Sequence, residues 1–190
     1  MSRIKVMVNG IPGNMAANVA RHILADDRFA LVPFSLTGPE IQADEHKIEK
    51  TAIRLLKPQE HERVIDDLKQ KEGEFLSVDY THPSAVNVNA EFYCKYQLPF
   101  VMGTTGGDRS RLETSVRASS IPAVIAPNMA KQIVGFQAMM EYAAQTFPGL
   151  FTGYVLEIKE SHQKGKADTS GTAKAVVRYY NQIGLDLKED

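Results

Sequence analysis

The sequence begins with a strand pattern that runs directly into a glycine turn and then into a helix pattern. Residues 4–9 form a short, mainly apolar run, Gly10 and Gly13 bracket the turn, and residues 14–24 have helical periodicity. The alternation of strand and helix patterns then continues to about residue 126. This repeated order predicts an α/β fold with a parallel sheet and helices on both of its faces.

The remaining element predictions are read from apolar periodicity and from proline and glycine positions. Strands are predicted over residues 29–36, 52–56, 75–80, 99–102, 121–126 and 152–159, and helices over residues 58–71, 83–96, 108–118, 131–147 and 171–183. Because the rhythm changes after residue 127, we predict two domains, residues 1–128 and 129–190. The second is a smaller α+β domain of about 60 residues, which is thin for an independent core and looks C-terminally incomplete.

Composition excludes several classes of protein. Of the 190 residues, 43% are hydrophobic and 24% are charged, which is typical of a globular chain. The net charge of -1 indicates neither a nucleic-acid nor a membrane partner. The single cysteine, Cys94, rules out a disulfide framework, and the histidines are not spaced as metal ligands, so no metal is expected. No signal peptide or membrane span is visible, and we expect a cytoplasmic protein.

The glycine turn indicates a dinucleotide site. Gly10 permits a tight turn, and Gly13 lets the backbone approach a pyrophosphate at the N-terminus of the helix that begins with Asn14 and Met15. This makes the sheet Rossmann-like and residues 1–128 a dinucleotide-binding domain. The alternative is a tight strand–helix turn that binds nothing.

The predicted end of the second strand bears on the choice of cofactor. Residues 35–38 contain no Asp or Glu, although a carboxylate there usually accepts a hydrogen bond from the ribose of NAD. Ser35 and Thr37 offer hydroxyls to a 2′-phosphate instead. The sequence therefore favours NADPH, with NADH as the alternative.

Other strand ends also carry residues suited to ligand binding. Residues 79–83, 103–106 and 126–129 each follow a predicted strand, and ligands of such sheets bind beyond the carboxyl ends of the strands. Taken singly, each segment also fits ordinary turn chemistry. The candidate cofactor residues here are Gly103, Thr104, Thr105, Ala126, Pro127, Asn128 and Met129.

A polar loop over residues 160–170 concentrates reactive side chains. His162 can donate a proton near neutral pH, and Lys166 supplies a positive charge to an anionic substrate. Ser170, Gly171 and Thr172 begin a predicted helix, whose N–H groups suit a substrate carboxylate. The alternative is a solvated loop with a helix cap.

Four motifs together resemble the 4-hydroxy-tetrahydrodipicolinate (dihydrodipicolinate) reductase family, over essentially the whole chain. They are Gly10-x-x-Gly13-x-Met15, Asp79-Tyr80-Thr81-x-Pro83, Gly103-Thr104-Thr105-Gly106, and Glu160-Ser-His162 continuing through Lys166 to Ala173. The chain differs from the common pattern, which has a second histidine where Gln163 stands and a proline before Ser-Gly-Thr. Family members also usually continue well beyond this point.

The resemblance implies hydride transfer from NAD(P)H to a cyclic unsaturated dicarboxylate in the diaminopimelate route to lysine. His162 would be the proton donor, Lys166 its charged partner, and Ser170–Thr172 the carboxylate site, while segments 103–105 and 126–129 would line the nicotinamide. A homo-oligomer is expected. Two alternatives stay open: a truncated, non-catalytic nucleotide-binding relative, and another NAD(P)-dependent reductase of the same fold.

Overall fold

The computed structural model describes residues 2–126, 128–159, 161 and 171–187. The chain divides into two compact units, Met1–Pro127 and Asn128–Asp190. In chain order, the elements of the first unit are β1 (Ile4–Asn9), α1 (Asn14–Ala25), β2 (Phe29–Leu31), β3 (Phe34–Leu36), β4 (Glu45–Ile48), β5 (Thr51–Leu56), α2 (His61–Glu72), β6 (Leu76–Asp79), α3 (Val86–Lys95), β7 (Phe100–Met102), α4 (Arg109–Ala118) and β8 (Ala123–Ile125).

A parallel sheet of five strands organises this unit, in the order β2-β1-β6-β7-β8. The helices pack on both of its faces, because successive side chains of a strand point to opposite sides. Val6 and Val8 of β1 join an apolar cluster with α1, whereas Met7 joins a second cluster with α2, α3 and α4. The predicted α/β class and Rossmann-like sheet are confirmed.

The single strand predicted over residues 29–36 is wrong, because the segment forms two strands in two sheets. β2 pairs with β1, and β3 pairs with β5. Pro33 lies between them and has no N–H to donate to a neighbouring strand, so the ladder with β1 cannot continue. The residue before it, Val32, still donates its N–H to the Val6 carbonyl at 2.9 Å.

The smaller sheet of this unit has the order β3-β5-β4. The predicted strand 52–56 is confirmed as β5, whereas β4 escaped prediction because Glu45, His46 and Lys47 are polar. β4 runs antiparallel to β5. Two predicted helices begin one turn late: Pro58–Glu60 and Pro83–Ala85 form short 3₁₀ helices ahead of α2 and α3.

The second unit contains α5 (Lys131–Thr146) and α6 (Gly171–Gln182) in its described part. Met140 and Ala144 of α5 pack against Tyr179, Tyr180 and Ile183. The turn that follows α5 is hydrogen-bonded to the residue after α6, since the Phe151 N–H donates to the Ile183 carbonyl at 2.7 Å. Both predicted helices of this unit are confirmed.

The strand predicted over residues 152–159 is wrong. After the turn, residues 154–159 have no regular structure, and no described segment pairs with them. A strand needs a neighbour for its N–H and C=O groups, and this segment has none within the described residues. Val155 is 98% exposed as a result.

No helix within the described ranges is long and apolar enough to cross a membrane.

Candidate functional site

The point where the chain reverses direction across the main sheet lies between β1 and β6. From β1 the chain moves to β2 on one side, and it later returns to β6 on the other side. The loops after adjacent strands therefore diverge and leave a crevice at the carboxyl ends of β1 and β6, where open α/β sheets bind ligands. Asn9 and Asp79, the last residues of the two strands, lie opposite each other.

Three loops meet in this crevice around Tyr80. A side chain at Gly10 would collide with the main-chain carbonyl of Tyr80, and a side chain at Gly103 would collide with the Tyr80 ring. Gly10 also has a φ of +102°, which L-residues with a side chain rarely adopt. The positive φ of Gly10 fits the tight turn that the sequence predicts there, and both glycines are required by the close approach of Tyr80.

The N-terminus of α1 opens beside this contact. Gly13 precedes the first helical residue and donates its N–H to the Gly10 carbonyl at 2.8 Å. Gly13, Asn14 and Met15 are exposed, and the first turn carries no acidic residue. The N–H groups of a first helical turn have no partner within the helix, so this end suits an anion such as a pyrophosphate.

A buried hydrogen-bond network lies directly below the crevice, with the Asp79 carboxylate at its centre. Its Oδ1 accepts hydrogen bonds from the Thr81 N–H at 3.1 Å, the Thr81 hydroxyl at 2.8 Å and the Thr104 hydroxyl at 2.6 Å. Its Oδ2 accepts from Asn89 Nδ2 at 3.0 Å and from the Tyr93 hydroxyl at 2.6 Å. The main-chain carbonyl of Asp79 also accepts the N–H of Gly103 at 2.9 Å.

The tyrosines of this region remain protonated. Burial, followed by the charge of Asp79 and the hydrogen bond to it, holds the pKa of Tyr93 well above its ordinary range. Burial alone raises the pKa of Tyr80. The Tyr93 phenol therefore acts as a permanent donor to Asp79 and accepts a hydrogen bond from Asn9 Nδ2 at 2.9 Å.

The predicted 2′-phosphate ligands Ser35 and Thr37 lie inside the fold. Ser35 is fully buried, and its hydroxyl accepts from the Ile11 N–H at 3.2 Å and donates to the Leu36 carbonyl at 3.3 Å. Thr37 is 5% exposed. The exposed residue at this strand end is Glu40, whose carboxylate lies so close to Gly38 that a side chain there would strike it.

Glu40 and Asp79 are the two candidates whose positions the sequence did not reveal. Glu40 lies two residues beyond positions 35–38, the strand end at which a ribose-binding acid is expected. A carboxylate within the next few residues is the sequence signal for it. Asp79 was visible in its motif, but its partners are separated from it by up to 25 residues. Only the fold brings them together.

The rest of the predicted site is divided between the two units. Ala126 follows β8 and donates its N–H to the Met102 carbonyl at 3.0 Å in the first unit. Asn128 and Met129 belong to the second unit, where the Asn128 Oδ1 accepts the Ala130 N–H at 3.1 Å ahead of α5. Thr105, in the loop after β7, is partly exposed.

Several predicted residues fall outside the described part of the chain. These are Pro127, His162, Lys166 and Ser170. Gly171 and Thr172 form the first residues of α6, but their side chains are not among those described. Among the residues that are described, no group of three or more His, Cys, Asp or Glu side chains could hold a metal ion.

A doubly wound parallel sheet with glycine-lined loops at its reversal point is typical of the class of Rossmann-like nucleotide-binding proteins. Comparison with known proteins narrows the class further. Residues 4–129 match the family model described as dihydrodipicolinate reductase, N-terminus. The chain belongs to the dihydrodipicolinate reductase family.

Named relatives agree with this assignment. The chain is 46% identical over 188 residues to 4-hydroxy-tetrahydrodipicolinate reductase 2, chloroplastic, of Arabidopsis thaliana, covering 98% of this chain and 53% of that protein. It is 30% identical over 194 residues to the reductase of Desulfitobacterium hafniense strain DCB-2, covering 98% and 68%. The chain thus spans about half the length of the plant relatives it matches.

A solved structure shares the fold. The dipicolinate-bound dihydrodipicolinate reductase from Paenisporosarcina sp. TG-14 matches with a TM-score of 0.66 and 17% sequence identity, over 100% of this chain and 71% of that one.

Proposed function

We propose that this chain takes part in the NAD(P)H-dependent reduction of 4-hydroxy-tetrahydrodipicolinate to tetrahydrodipicolinate, in the diaminopimelate route to lysine. The observation that carries the proposal is the crevice between β1 and β6, where Gly10 and Gly103 let the loops close on Tyr80 and the exposed N-terminus of α1 is available to a dinucleotide. Relatives at 44–46% identity named as this reductase support the choice of reaction. They do not favour the non-catalytic alternative.

The division of roles follows the resemblance to the family. The exposed N-terminus of α1 would hold the pyrophosphate, and segments 103–105 and 126–129 would line the nicotinamide. His162 would donate the proton, Lys166 would stabilise negative charge on the substrate, and the segment from Ser170 to Thr172 would bind a carboxylate. The bound nicotinamide supplies the hydride.

The preferred cofactor, compartment and assembly are part of the same proposal. NADPH stands first, because no acid occupies positions 35–38. NADH is the alternative, and the exposed Glu40 just beyond these positions supports it. The cytoplasm was expected from the sequence, but the plant relatives are chloroplastic by name, so a plastid is the other compartment to test. The family resemblance supports a homo-oligomer, and sedimentation analysis of the purified chain measures it.

The decisive experiment is loss of NADPH absorbance while the preceding synthase generates the substrate in the same cuvette. Substrate-dependent oxidation is expected, and fluorescence titration measures NADPH binding in parallel. If NADPH binds but is not oxidised, the reductase assignment of this chain fails. If NADPH does not bind, the dinucleotide site fails as well.

His162→Ala separates binding from chemistry. We expect unchanged NADPH affinity and a kcat reduced by about 100-fold or more, because a proton donor acts in the chemical step. A large loss of NADPH affinity instead would contradict the proposed role. His46→Ala, on β4, is the matched control and should leave kcat unchanged.

A further inference from the structure

Asp79 is a charged residue at the centre of the candidate site that cannot itself touch a ligand. It is fully buried at the last position of β6, opposite Asn9 of β1 and Met102 of β7. Burying an ionised carboxylate is costly unless hydrogen bonds replace its water shell. Here five hydrogen bonds do so, three on Oδ1 and two on Oδ2.

The two oxygens serve different parts of the fold. Oδ2 binds Asn89 and Tyr93, which are both buried residues of α3. Oδ1 binds only groups from the loops at the carboxyl edge of the sheet, namely Thr81 after β6 and Thr104 after β7. One carboxylate therefore holds the helix with one oxygen and the ligand-side loops with the other.

Thr104 is likewise turned away from any ligand. Its side chain is 6% exposed, and its hydroxyl donates to Asp79 Oδ1 at 2.6 Å, a short bond typical of a charged acceptor. The neighbouring Gly103 donates its N–H to the Asp79 carbonyl and packs against the Tyr80 ring. The loop of residues 103–105 is therefore held from below by Asp79, and its backbone and the partly exposed Thr105 remain for a ligand.

We propose that Asp79 and Thr104 are positioning residues of the cofactor site, and that the hydrogen bond between Asp79 Oδ1 and the Thr104 hydroxyl holds the 103–105 loop in the shape that receives the nicotinamide. This rests on the proposed function, which makes that loop part of a nicotinamide site. Tyr93, on the other oxygen of the same carboxylate, stabilises the fold and has no part in cofactor affinity.

The two hydroxyls that donate to Asp79 at 2.6 Å provide a matched pair of variants. Thr104→Val and Tyr93→Phe each remove one donor from the same carboxylate with little change of shape, and Tyr93→Phe also removes the acceptor of Asn9 Nδ2. Both should lower the free energy of unfolding measured in urea, because each leaves a buried carboxylate with one donor fewer. Only Thr104→Val should weaken NADPH binding, by about tenfold, and Thr104→Ser should restore it.

A second ligand distinguishes a positioned loop from general damage. The compound 2′,5′-ADP contains the phosphorylated adenosine half of NADPH but no nicotinamide. Thr104→Val should leave its Kd, measured by calorimetric titration, within about twofold of the original while the Kd for NADPH rises. Thr104→Ala serves the same comparison if the valine variant does not fold.

Each other outcome overturns the inference. Unchanged NADPH affinity in Thr104→Val would mean that the loop does not need this bond. Equal losses in Thr104→Val and Tyr93→Phe, or equal losses for both ligands, would mean that the network only stabilises the fold. If the unsubstituted chain binds 2′,5′-ADP and NADPH equally well, the nicotinamide makes no contact that contributes to affinity. If it binds neither compound, the proposed function is wrong too.

Discussion

At the scale of single residues, the most constrained position is Gly10. Its positive φ and the Tyr80 carbonyl that lies against it are two separate obstacles to any side chain. Gly73, the residue after α2, also has a positive φ of +74°, but nothing lies within 4 Å of a side chain added there. A side chain at Gly73 therefore meets backbone strain alone, whereas a side chain at Gly10 meets backbone strain and a collision.

Replacement of these glycines by alanine should have unequal costs. Gly73→Ala should lower the free energy of unfolding by about 1–3 kcal/mol from backbone strain alone, because a φ of +74° with a ψ of -149° is a conformation that glycine almost alone adopts. Gly10→Ala should cost about 3 kcal/mol or more, because overlap with the Tyr80 carbonyl is added to the strain. Urea unfolding followed by circular dichroism measures both, and equal costs would show that the contact with Tyr80 relaxes freely.

Glu40 is a single residue that we expect to affect the preference for NADPH or NADH. Its carboxylate lies against Gly38 at the end of β3, where it would repel a 2′-phosphate and accept hydrogen bonds from a ribose. Glu40→Gln should therefore raise the affinity for NADPH relative to NADH by about three- to tenfold. Glu74→Gln removes the same charge just before β6, at the amino-terminal end of that strand. It should leave the ratio of the two Kd values unchanged. If Glu40→Gln leaves the ratio of the two Kd values unchanged, Glu40 does not lie at the adenosine end of the site.

At the scale of secondary-structure elements, α2 is joined to the small sheet through His61. Its Nε2 donates to the Leu56 carbonyl at 3.0 Å, and the Thr37 N–H donates to the same oxygen at 2.9 Å. The His61 ring also lies edge-on to Phe92, with centroids 5.8 Å apart. Burial is the largest cause that lowers the pKa of His61, partly opposed by the hydrogen bond to Leu56.

The lowered pKa of His61 makes stability depend on pH. Below the ordinary histidine value of 6.5, the unfolded chain binds a proton that the folded chain does not. The stability from neutral His61 is therefore present above about pH 6.5 and is lost as the pH falls towards the folded pKa. His61→Gln should flatten this part of a urea-unfolding profile, whereas His22→Gln, exposed on α1, should not. A slope that persists in His61→Gln would assign it to another group.

At the scale of the whole molecule, the two units have separate apolar cores. The clusters that contain the strands of the main sheet belong to the first unit, and the cluster around Ile183 belongs to the second. A ligand that binds one unit stabilises that unit in proportion to the logarithm of its concentration over Kd. The response to cofactor should therefore differ between the units.

Calorimetry of the full chain should resolve two transitions. NADPH at 100 times its Kd should stabilise the first unit by about 2.7 kcal/mol and raise its Tm by on the order of 5–10 °C. The other transition should move less, because the second unit contributes only Asn128 and Met129 to the proposed cofactor site. Ile183→Ala should lower only the other transition, because Ile183 is 1% exposed in the core of the second unit. A single transition that responds to both changes would contradict independent unfolding.

The elements that local pattern alone could predict were those with strong periodicity. Residues 4–9 and 14–24 form β1 and α1 as predicted, because a short apolar run next to a glycine turn fits a buried strand and the apolar spacing of residues 14–24 matches the helix repeat. The missed strand β4 and the wrongly predicted strand over residues 152–159 have a different origin. The polar strand β4 exists only because β5 pairs with it, and the apolar segment 152–159 is not a strand because no described neighbour pairs with it.

The sequence by itself determined the alternation of strands and helices in the main sheet, the glycine turn and the motifs that indicate a reductase, since each depends on residues close together along the chain. Only the tertiary structure decided which polar residues are available to a ligand. The sequence predicts that Ser35 and Thr104 bind the cofactor, but both are buried and hydrogen-bonded within the protein, whereas Glu40 is exposed at the strand end. Burial and hydrogen-bond partners depend on contacts between distant segments, such as Asp79 with Thr104, and local sequence does not contain them.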